Sequence, residues 1–128
     1  CSKVLDQART GTYSQLEMSR GLPSAYLLKY FRRTGLQWQI KDEVRRLVKF
    51  EPFDLRSSMR AMGPFDAVFC RNVLIYFDLP TKIKIVQQIH GTLFRGGHLF
   101  LGSTETSLPA GEMFQRKSIG DATIYEAK

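Results

Sequence analysis

The chain has 128 residues, of which 43% are hydrophobic and 24% charged, with a formal net charge of +7. This length and apolar content suit a globular domain with a buried core, and no apolar run approaches the roughly 18 residues of a membrane span. The two cysteines lie outside any Cys/His cluster, which argues against a disulfide framework and a structural zinc site and favours a reducing, cytoplasmic setting. The positive charge favours an acidic partner, which could be nucleic acid, an anionic membrane face or an acidic protein surface.

The first half of the chain predicts one short helix and a small antiparallel sheet. Residues 2–9 place good helix formers behind Ser2 as a possible N-cap, and Gly11 supplies a stop. Aromatic and β-branched residues crowd residues 21–55, and Gly35 interrupts them as a hairpin loop would. We expect strands near residues 28–33, 37–41 and 47–51, with a helical turn at 42–47 as the alternative for that stretch.

The second half predicts a strand, a helix and a second strand, followed by a hairpin. Residues 65–70 form an apolar run without alternation, which is typical of a strand buried on both faces of a parallel sheet. An amphipathic helix follows over about residues 80–94, with Ile83, Val86 and Ile89 on one face, and Arg95-Gly96-Gly97 should end it. A strand at 98–103 completes a βαβ unit, and residues 114–118 and 122–126 predict a closing antiparallel hairpin.

Two polar residues follow the first of these strands. Ligands of open α/β sheets bind beyond the carboxyl ends of the strands, and Arg71 and Asn72 stand there between two apolar runs. A guanidinium can hold a carboxylate bidentately, and an amide offers both a donor and an acceptor to an amino acid or a nucleoside. On spacing alone a structural alternative is equally open, in which Arg71 pairs with a neighbouring acid and Asn72 caps the next turn.

The same residues carry a family resemblance. Residues 65–78, FDAVFCRNVLIYFD, closely resemble the signature FD-x-[IV]-FCRNV-[LM]-IYF-[DN] of the chemotaxis receptor glutamate methyltransferases, the CheR family. Residues 93–105, LFRGGHLFLGSTE, are similar to the family segment L-x-PGG-x-LFLGHSE. Further landmarks occur in the same order at residues 8–13, 20–22 and 29–31, so that the resemblance covers essentially the whole chain.

The resemblance implies an α/β fold, namely the C-terminal part of a Rossmann-like class I methyltransferase sheet with a small antiparallel β insertion. It divides the chain into a helical segment at residues 1–25, an antiparallel subdomain at 26–53 and the C-terminal half of the core at 54–128. Enzymes of this family move a methyl group from S-adenosyl-L-methionine to glutamate side chains on the cytoplasmic helices of chemoreceptors.

The resemblance also implies roles for single residues. Arg71 and Asn72 are expected to contact the cofactor, and Tyr76 to line the site of methyl transfer as the catalytic aromatic residue. Asp54 and Leu55 fall where the family usually has Asn-Leu near the adenine, and the aspartate keeps an acceptor but removes an amide donor. No metal is expected, and Cys70 reads as an inert core thiol.

The partners follow from the same comparison and from the charge. The family's antiparallel insertion binds receptors, and the short loop at residues 32–37 argues against capture of a tethered receptor peptide. A cluster of basic residues is either a solvated face or a docking site for acidic receptor helices, and with Phe31 and Trp38 it also motivates a less favoured nucleic-acid-binding module. The cluster consists of Arg32, Arg33, Arg45, Arg46 and Lys49.

The printed residues do not contain the glycine-rich strand-loop and the acid that precede this region in the family. We therefore expect a fragment of a longer methyltransferase that binds S-adenosylmethionine weakly or not at all. The unpaired edge of the strand at 65–70 should promote self-association. A non-catalytic interaction fragment is the alternative.

Overall fold

The computed structural model describes residues 1–105 and 111–128. The chain divides into two compact units, Cys1–Phe53 and Asp54–Lys128. The α/β class is confirmed, because helices alternate with strands and the sheet of the second unit contains a parallel pair. Among the described residues, no helix is long and apolar enough to cross a lipid bilayer. The further division of the first unit at residue 25 stays a prediction.

The first unit alternates short helices with short strands, and its sheet has the antiparallel order β1-β3-β2. The predicted first helix is confirmed, although Cys1 rather than Ser2 precedes it as the N-cap. The elements are α1 (Ser2–Thr10), β1 (Thr12–Ser14), α2 (Gln15–Met18), α3 (Ser24–Tyr30), β2 (Phe31–Thr34), β3 (Gln37–Ile40) and α4 (Asp42–Arg45).

The third strand of this sheet is not where the sequence pattern placed it. Residues 47–51 form no strand, and the alternative helical turn is correct, since α4 occupies Asp42–Arg45. The strand expected at 28–33 begins only at Phe31, because the preceding residues belong to α3. The third strand is β1, whose Tyr13 lies opposite Trp38 of β3.

Local turns explain why such a short strand pairs at all. Gly11 has φ +66°, and its carbonyl accepts the N–H of Ile40 at 2.8 Å, which leads the chain directly from α1 into the sheet. A Cβ at this position would come within 2.3 Å of the Ile40 side chain. Ser14 then ends β1, because its hydroxyl accepts the N–H of Glu17 while the Glu17 carboxylate accepts the N–H of Ser14, a capping box for α2.

The second unit contains the predicted βαβ unit and the closing hairpin, and both are confirmed. Its sheet has the order β4-β5-β7-β6, in which β4 and β5 are parallel and the other neighbours antiparallel. The elements are β4 (Phe65–Cys70), a 3-10 turn (Leu74–Tyr76), α5 (Leu79–Thr92), β5 (Leu93–Leu101), β6 (Phe114–Ile119) and β7 (Ala122–Ala127).

Helix α5 supplies much of the core of this unit. It begins at Asp78, whose carboxylate accepts the N–H of Thr81 at 3.0 Å. Its fully buried apolar residues are Ile85, Val86 and Ile89, which share a cluster with Leu99 of β5 and other residues of the sheet. Ile83, expected on the inward face, is only partly buried. The apolar stripe is therefore rotated slightly from the expected one.

The end of α5 differs from the prediction. The helix stops at Thr92, and Arg95, Gly96 and Gly97 lie inside β5 rather than at a helix terminus. Gly96 has φ +83°, and the pairing of β5 with β4 shifts register between Phe65 and Ala67. The glycines therefore accommodate an irregular stretch of strand, which extends β5 towards the helix.

Strand β4 is also less buried than its apolar composition predicted. Within the described part of the chain it pairs only with β5, and its two best buried residues are Val68 and Cys70. Phe69 points to the other face, where it is 70% exposed and stacks on Phe100 with ring centroids 4.4 Å apart. The apolar run at residues 65–70 thus predicts the strand correctly, but it does not show which face of the strand is buried.

The exposed apolar edge strand motivates a test of self-association. We expect the wild-type chain to form dimers as its concentration rises, and Phe69→Lys to shift it to monomer, because a charge on an exposed strand opposes edge pairing. Light scattering across a concentration series measures this. Ile119→Lys, at an exposed position on the opposite edge strand β6, is the matched control and should leave the dimer intact. A wild-type chain that stays monomeric at millimolar concentration would contradict the expectation.

Candidate functional site

A cleft of about 420 Å³ opens at the carboxyl ends of β4 and β5, next to the start of β7. This is the position at which open α/β sheets bind ligands, and the volume lies in the usual range for small-molecule sites. Aromatic rings, a guanidinium, a carboxylate and hydroxyl groups share the lining. Its residues include Phe69, Arg71, Phe100, Ser103, Glu105, Asp121 and Thr123.

One buried carboxylate organises this end of the sheet. Glu105 is 8% exposed, and its two oxygens accept hydrogen bonds from four backbone N–H groups. One oxygen accepts from Asn72 at 2.7 Å and from Gly102 at 2.8 Å. The other accepts from Val73 at 3.1 Å and from Leu74 at 2.8 Å. A single side chain therefore joins the loop after β4 to the loop after β5.

These bonds decide the charge state of Glu105. Burial raises the pKa of the carboxyl, but the N–H groups of Gly102, Asn72, Leu74 and Val73 lower it by more, so that the pKa lies below its usual value. The carboxylate is ionised at neutral pH. Burial, with a contribution from this negative charge, raises the pKa of the Cys70 thiol to about 11. Cys70 is therefore an unreactive thiol at neutral pH, as a core residue would be.

The loop after β4 turns sharply at Asn72. Asn72 has φ +58°, and it is the non-glycine residue with positive φ in the described chain. Asparagine tolerates this left-handed conformation better than most residues. The N–H groups that follow are bound by Glu105 and not capped by the Asn72 side chain. Thus Asn72 does not have the capping role that the structural alternative gave it.

The turn leaves Arg71 lining the cleft. Within residues 1–105 and 111–128, Arg71 forms no ion pair, so the pairing with a neighbouring acid that the alternative required is not observed. Its side chain is free to meet an anionic group of a ligand.

Gly102 allows the two loops to come together. A Cβ at this position would lie 2.7 Å from a carboxylate oxygen of Glu105 and 3.0 Å from the backbone nitrogen of Asn72. Only a residue without a side chain fits between them. The loops after β4 and β5 can therefore approach this closely only because residue 102 is a glycine.

The other predicted site residues lie outside the lining of this cleft. Tyr76, in the 3-10 turn, is 80% exposed, and Leu55 packs at the margin of the core. The Asp54 carboxylate accepts two hydrogen bonds from the Arg56 guanidinium, at 2.7 and 3.1 Å. These bonds lower the pKa of Asp54 to about 2. The roles assigned to these three residues, and to Arg71 and Asn72, stay predictions.

Sequence reasoning did not assign a role to Glu105. It lies in the segment that carried the family resemblance, but one acid after a strand has no periodic or spacing signature. The available signal was an acid next to Gly102-Ser103-Thr104, in a loop facing the polar residues after β4. Such a carboxylate can accept hydrogen bonds from several N–H groups only when the fold brings two loops together.

Replacing Glu105 by glutamine tests this interaction. The amide keeps one acceptor oxygen and turns an NH₂ group towards donors, so Glu105→Gln should destabilise the chain by about 3 kcal/mol at neutral pH. Urea denaturation measures the change. Because the folded-state pKa of Glu105 is lowered, the carboxylate stabilises the fold above the unfolded pKa, and this stabilisation is lost as pH falls through the folded pKa.

The difference in free energy of unfolding between wild type and Glu105→Gln should therefore shrink in acid. Glu112→Gln, an exposed position in the same region, is the control and should change stability little. A Glu105→Gln variant as stable as wild type at neutral pH would show that the four bonds contribute nothing.

Comparisons with known proteins identify the family of this chain. Residues 2–121 match the family model described as "CheR methyltransferase, SAM binding domain". The chain is 40% identical over 126 residues to a chemotaxis protein methyltransferase of Pseudomonas putida and 41% identical over 126 residues to one of Pseudomonas aeruginosa; each match covers 98% of this chain and 46% of the relative. A chemotaxis protein methyltransferase of Vibrio parahaemolyticus is 37% identical over 128 residues, covering 99% of this chain and 46% of the relative. The chain thus spans about half the length of these relatives, and it belongs to the CheR methyltransferase family, whose domain binds S-adenosylmethionine.

Proposed function

We propose that this chain is part of a chemotaxis methyltransferase that transfers a methyl group from S-adenosylmethionine to glutamate side chains of chemoreceptors. The observation that supports it most is the cleft at the carboxyl ends of β4 and β5, which is lined by Arg71 and has a loop held by Glu105. The family match and the chemotaxis methyltransferases of Pseudomonas and Vibrio support the reaction class.

The residues of the cleft fit part of the cofactor. S-adenosylmethionine has an amino-acid carboxylate, a sulfonium, a ribose and an adenine. Arg71 can hold a carboxylate, and the Phe69 and Phe100 rings offer a flat surface to an aromatic or cationic group. Asn72, whose amide has both donor and acceptor atoms, follows Arg71 in the chain but is not part of the cleft lining. The donor set is therefore compatible with the cofactor that the family binds.

The chemistry needs little from the protein besides position. The bound cofactor supplies an electrophilic methyl group on a positively charged sulfur. A glutamate side chain, with a reference pKa of about 4.3, is ionised at neutral pH and attacks without a general base. The chain's residues then have to align the carboxylate with the methyl group and keep water out. The apolar stretch around Tyr76 suits a transfer in which opposite charges are neutralised.

Two further assignments belong to this proposal. Tyr76 lines the site of methyl transfer, and its exposure leaves the ring available to a ligand or a substrate. Asp54 and Leu55 lie near the adenine. Because the Asp54 carboxylate already binds Arg56, a contact with the adenine amino group would have to use the lone pairs that the guanidinium leaves.

The first unit provides a surface for the receptor. Its three-stranded sheet presents Arg32 and Arg33 on the exposed strand β2, and Leu36 at the β2–β3 turn is 86% exposed. Arg32 is 3.9 Å from Asp42, whereas the Arg33 Nε donates to the backbone carbonyl of Gly35. Such a surface suits acidic receptor helices, and the chain's net charge of +7 favours the encounter.

The function is tested by methyl transfer to chemoreceptor fragments in the complete protein that contains these residues. Labelled methyl groups should be released as methanol in mild base, as expected of glutamate methyl esters. Arg71→Ala should raise the KM for S-adenosylmethionine at least about tenfold, because a hydrogen bond to a charged group contributes roughly 1.5–3 kcal/mol.

Arg95→Ala is the matched control, since Arg95 is exposed near the amino end of β5, away from the cleft. Its KM should equal that of the wild type. Label that resists base would contradict glutamate as the acceptor, and an unchanged KM in Arg71→Ala would contradict the assigned cofactor contact. Tight binding of RNA or DNA that weakens steeply with salt would instead favour a nucleic-acid module.

A further inference from the structure

The turn after β4 contains a residue in the left-handed conformation. Asn72 has φ +58°, which asparagine adopts more readily than most residues with a side chain, although still at a cost. Apolar β-branched Val73 follows at once, and Leu74 is buried in the core. The tolerance of asparagine does not satisfy the N–H groups of this turn, and an interaction from elsewhere in the chain binds them.

Glu105 supplies that interaction from more than 30 positions away in sequence, with separations of 31, 32 and 33 residues. Three successive N–H groups point at one carboxylate, and this arrangement requires the backbone reversal at Asn72. The fourth donor, Gly102, is bound through the same oxygen as Asn72, which keeps the ends of β4 and β5 at a constant separation. Removing the carboxylate would leave three consecutive loop N–H groups without their acceptor.

The position of Arg71 depends on this reversal. Arg71 directly precedes Asn72 and lines the cleft, whereas Leu74, two residues after Asn72, belongs to the core. If the backbone at Asn72 relaxed to a negative φ, the peptide planes on both sides would rotate. Arg71 could then not line the cleft while Leu74 stays in the core. The placement of the guanidinium is thus coupled to the bonds that Glu105 accepts.

We propose that Glu105 is a positioning residue for cofactor binding, whose carboxylate holds the Asn72–Leu74 backbone and thereby places Arg71 in the cleft. The cofactor part of this inference rests on the proposed function. Glu105 donates and accepts no hydrogen bond to the ligand in this account, because its oxygens are occupied by N–H groups. Other charged or titratable groups around it are Arg71, Asp121 and Tyr125, which line the same cleft, and Cys70 at the end of β4.

The test compares Glu105→Gln with wild type in two measurements. The three-bond HN–Hα coupling of Asn72 reports φ in the ligand-free 128-residue chain, and steady-state kinetics of the complete protein give KM and kcat separately. In Glu105→Gln we expect the HN–Hα coupling of Asn72 to change from the value of a left-handed residue. We expect the KM for S-adenosylmethionine to rise about 10- to 100-fold. The KM for the receptor should not change. A general loss of folded protein would lower the apparent kcat and leave both KM values unchanged, so a rise confined to the KM for S-adenosylmethionine distinguishes the two.

Glu112→Gln is the matched control and should leave both measurements unchanged. A wild-type coupling in Glu105→Gln would overturn the proposal, and so would a changed coupling with an unchanged KM. If the wild-type protein makes no methyl ester, the proposed function fails, and the Asn72 coupling alone then decides whether Glu105 holds the turn.

The wild-type chain provides a second test if Glu105→Gln does not fold. The side-chain carboxyl carbon of Glu105 is followed by NMR as the pH is lowered, together with the Asn72 coupling. The two should change with the same midpoint. A coupling that stays constant while Glu105 becomes protonated would overturn the proposal.

Discussion

The second unit depends on one electrostatic constraint, the binding of four backbone N–H groups by the buried carboxylate of Glu105. Burying a charge is costly unless hydrogen bonds replace the lost water, and here the backbone of two loops provides them. Neither loop could satisfy its N–H groups by regular structure, because each follows the end of a strand. The carboxylate therefore compensates for the irregular backbone that a ligand site at this edge of the sheet requires.

Several otherwise separate features follow from this constraint. Gly102 has no room for a side chain because it lies against Glu105 and Asn72. Asn72 adopts positive φ because its N–H and those after it meet the same carboxylate. Cys70 stays a neutral thiol, since burial and the nearby negative charge both oppose its ionisation. The cleft that results combines a backbone held by hydrogen bonds with the guanidinium of Arg71 in its lining, which is the combination that binding of an anionic group needs.

The extent to which the sequence predicted this structure differs between elements. The helix α5, the parallel pair and the closing hairpin were predicted correctly, because apolar periodicity and short apolar runs carry that information. The prediction of a strand at 47–51 was wrong, and β1 was missed because three residues are too few to establish an alternating pattern. Their pairing with β3 depends on Gly11, which is a tertiary contact.

The candidate site shows the same limit. Arg71 was found because polar residues between two apolar runs stand out in the sequence, and the resemblance to the CheR family agreed. Glu105 was missed because its importance depends on donors 31 to 33 residues away. Likewise, no local pattern showed that Gly96 and Gly97 would lie inside β5, since the register shift they accommodate is a property of the strand pair.

Amide hydrogen exchange tests the central constraint most directly. The N–H groups of Asn72, Val73, Leu74 and Gly102 lie outside the strands and the long helix, so sequence position alone gives no reason for protection. If Glu105 binds them, they should exchange as slowly as the amides of β5 in the core, and their protection should fall together when Glu105 is protonated. Exchange at the rate of an unprotected peptide at these four amides would contradict the account.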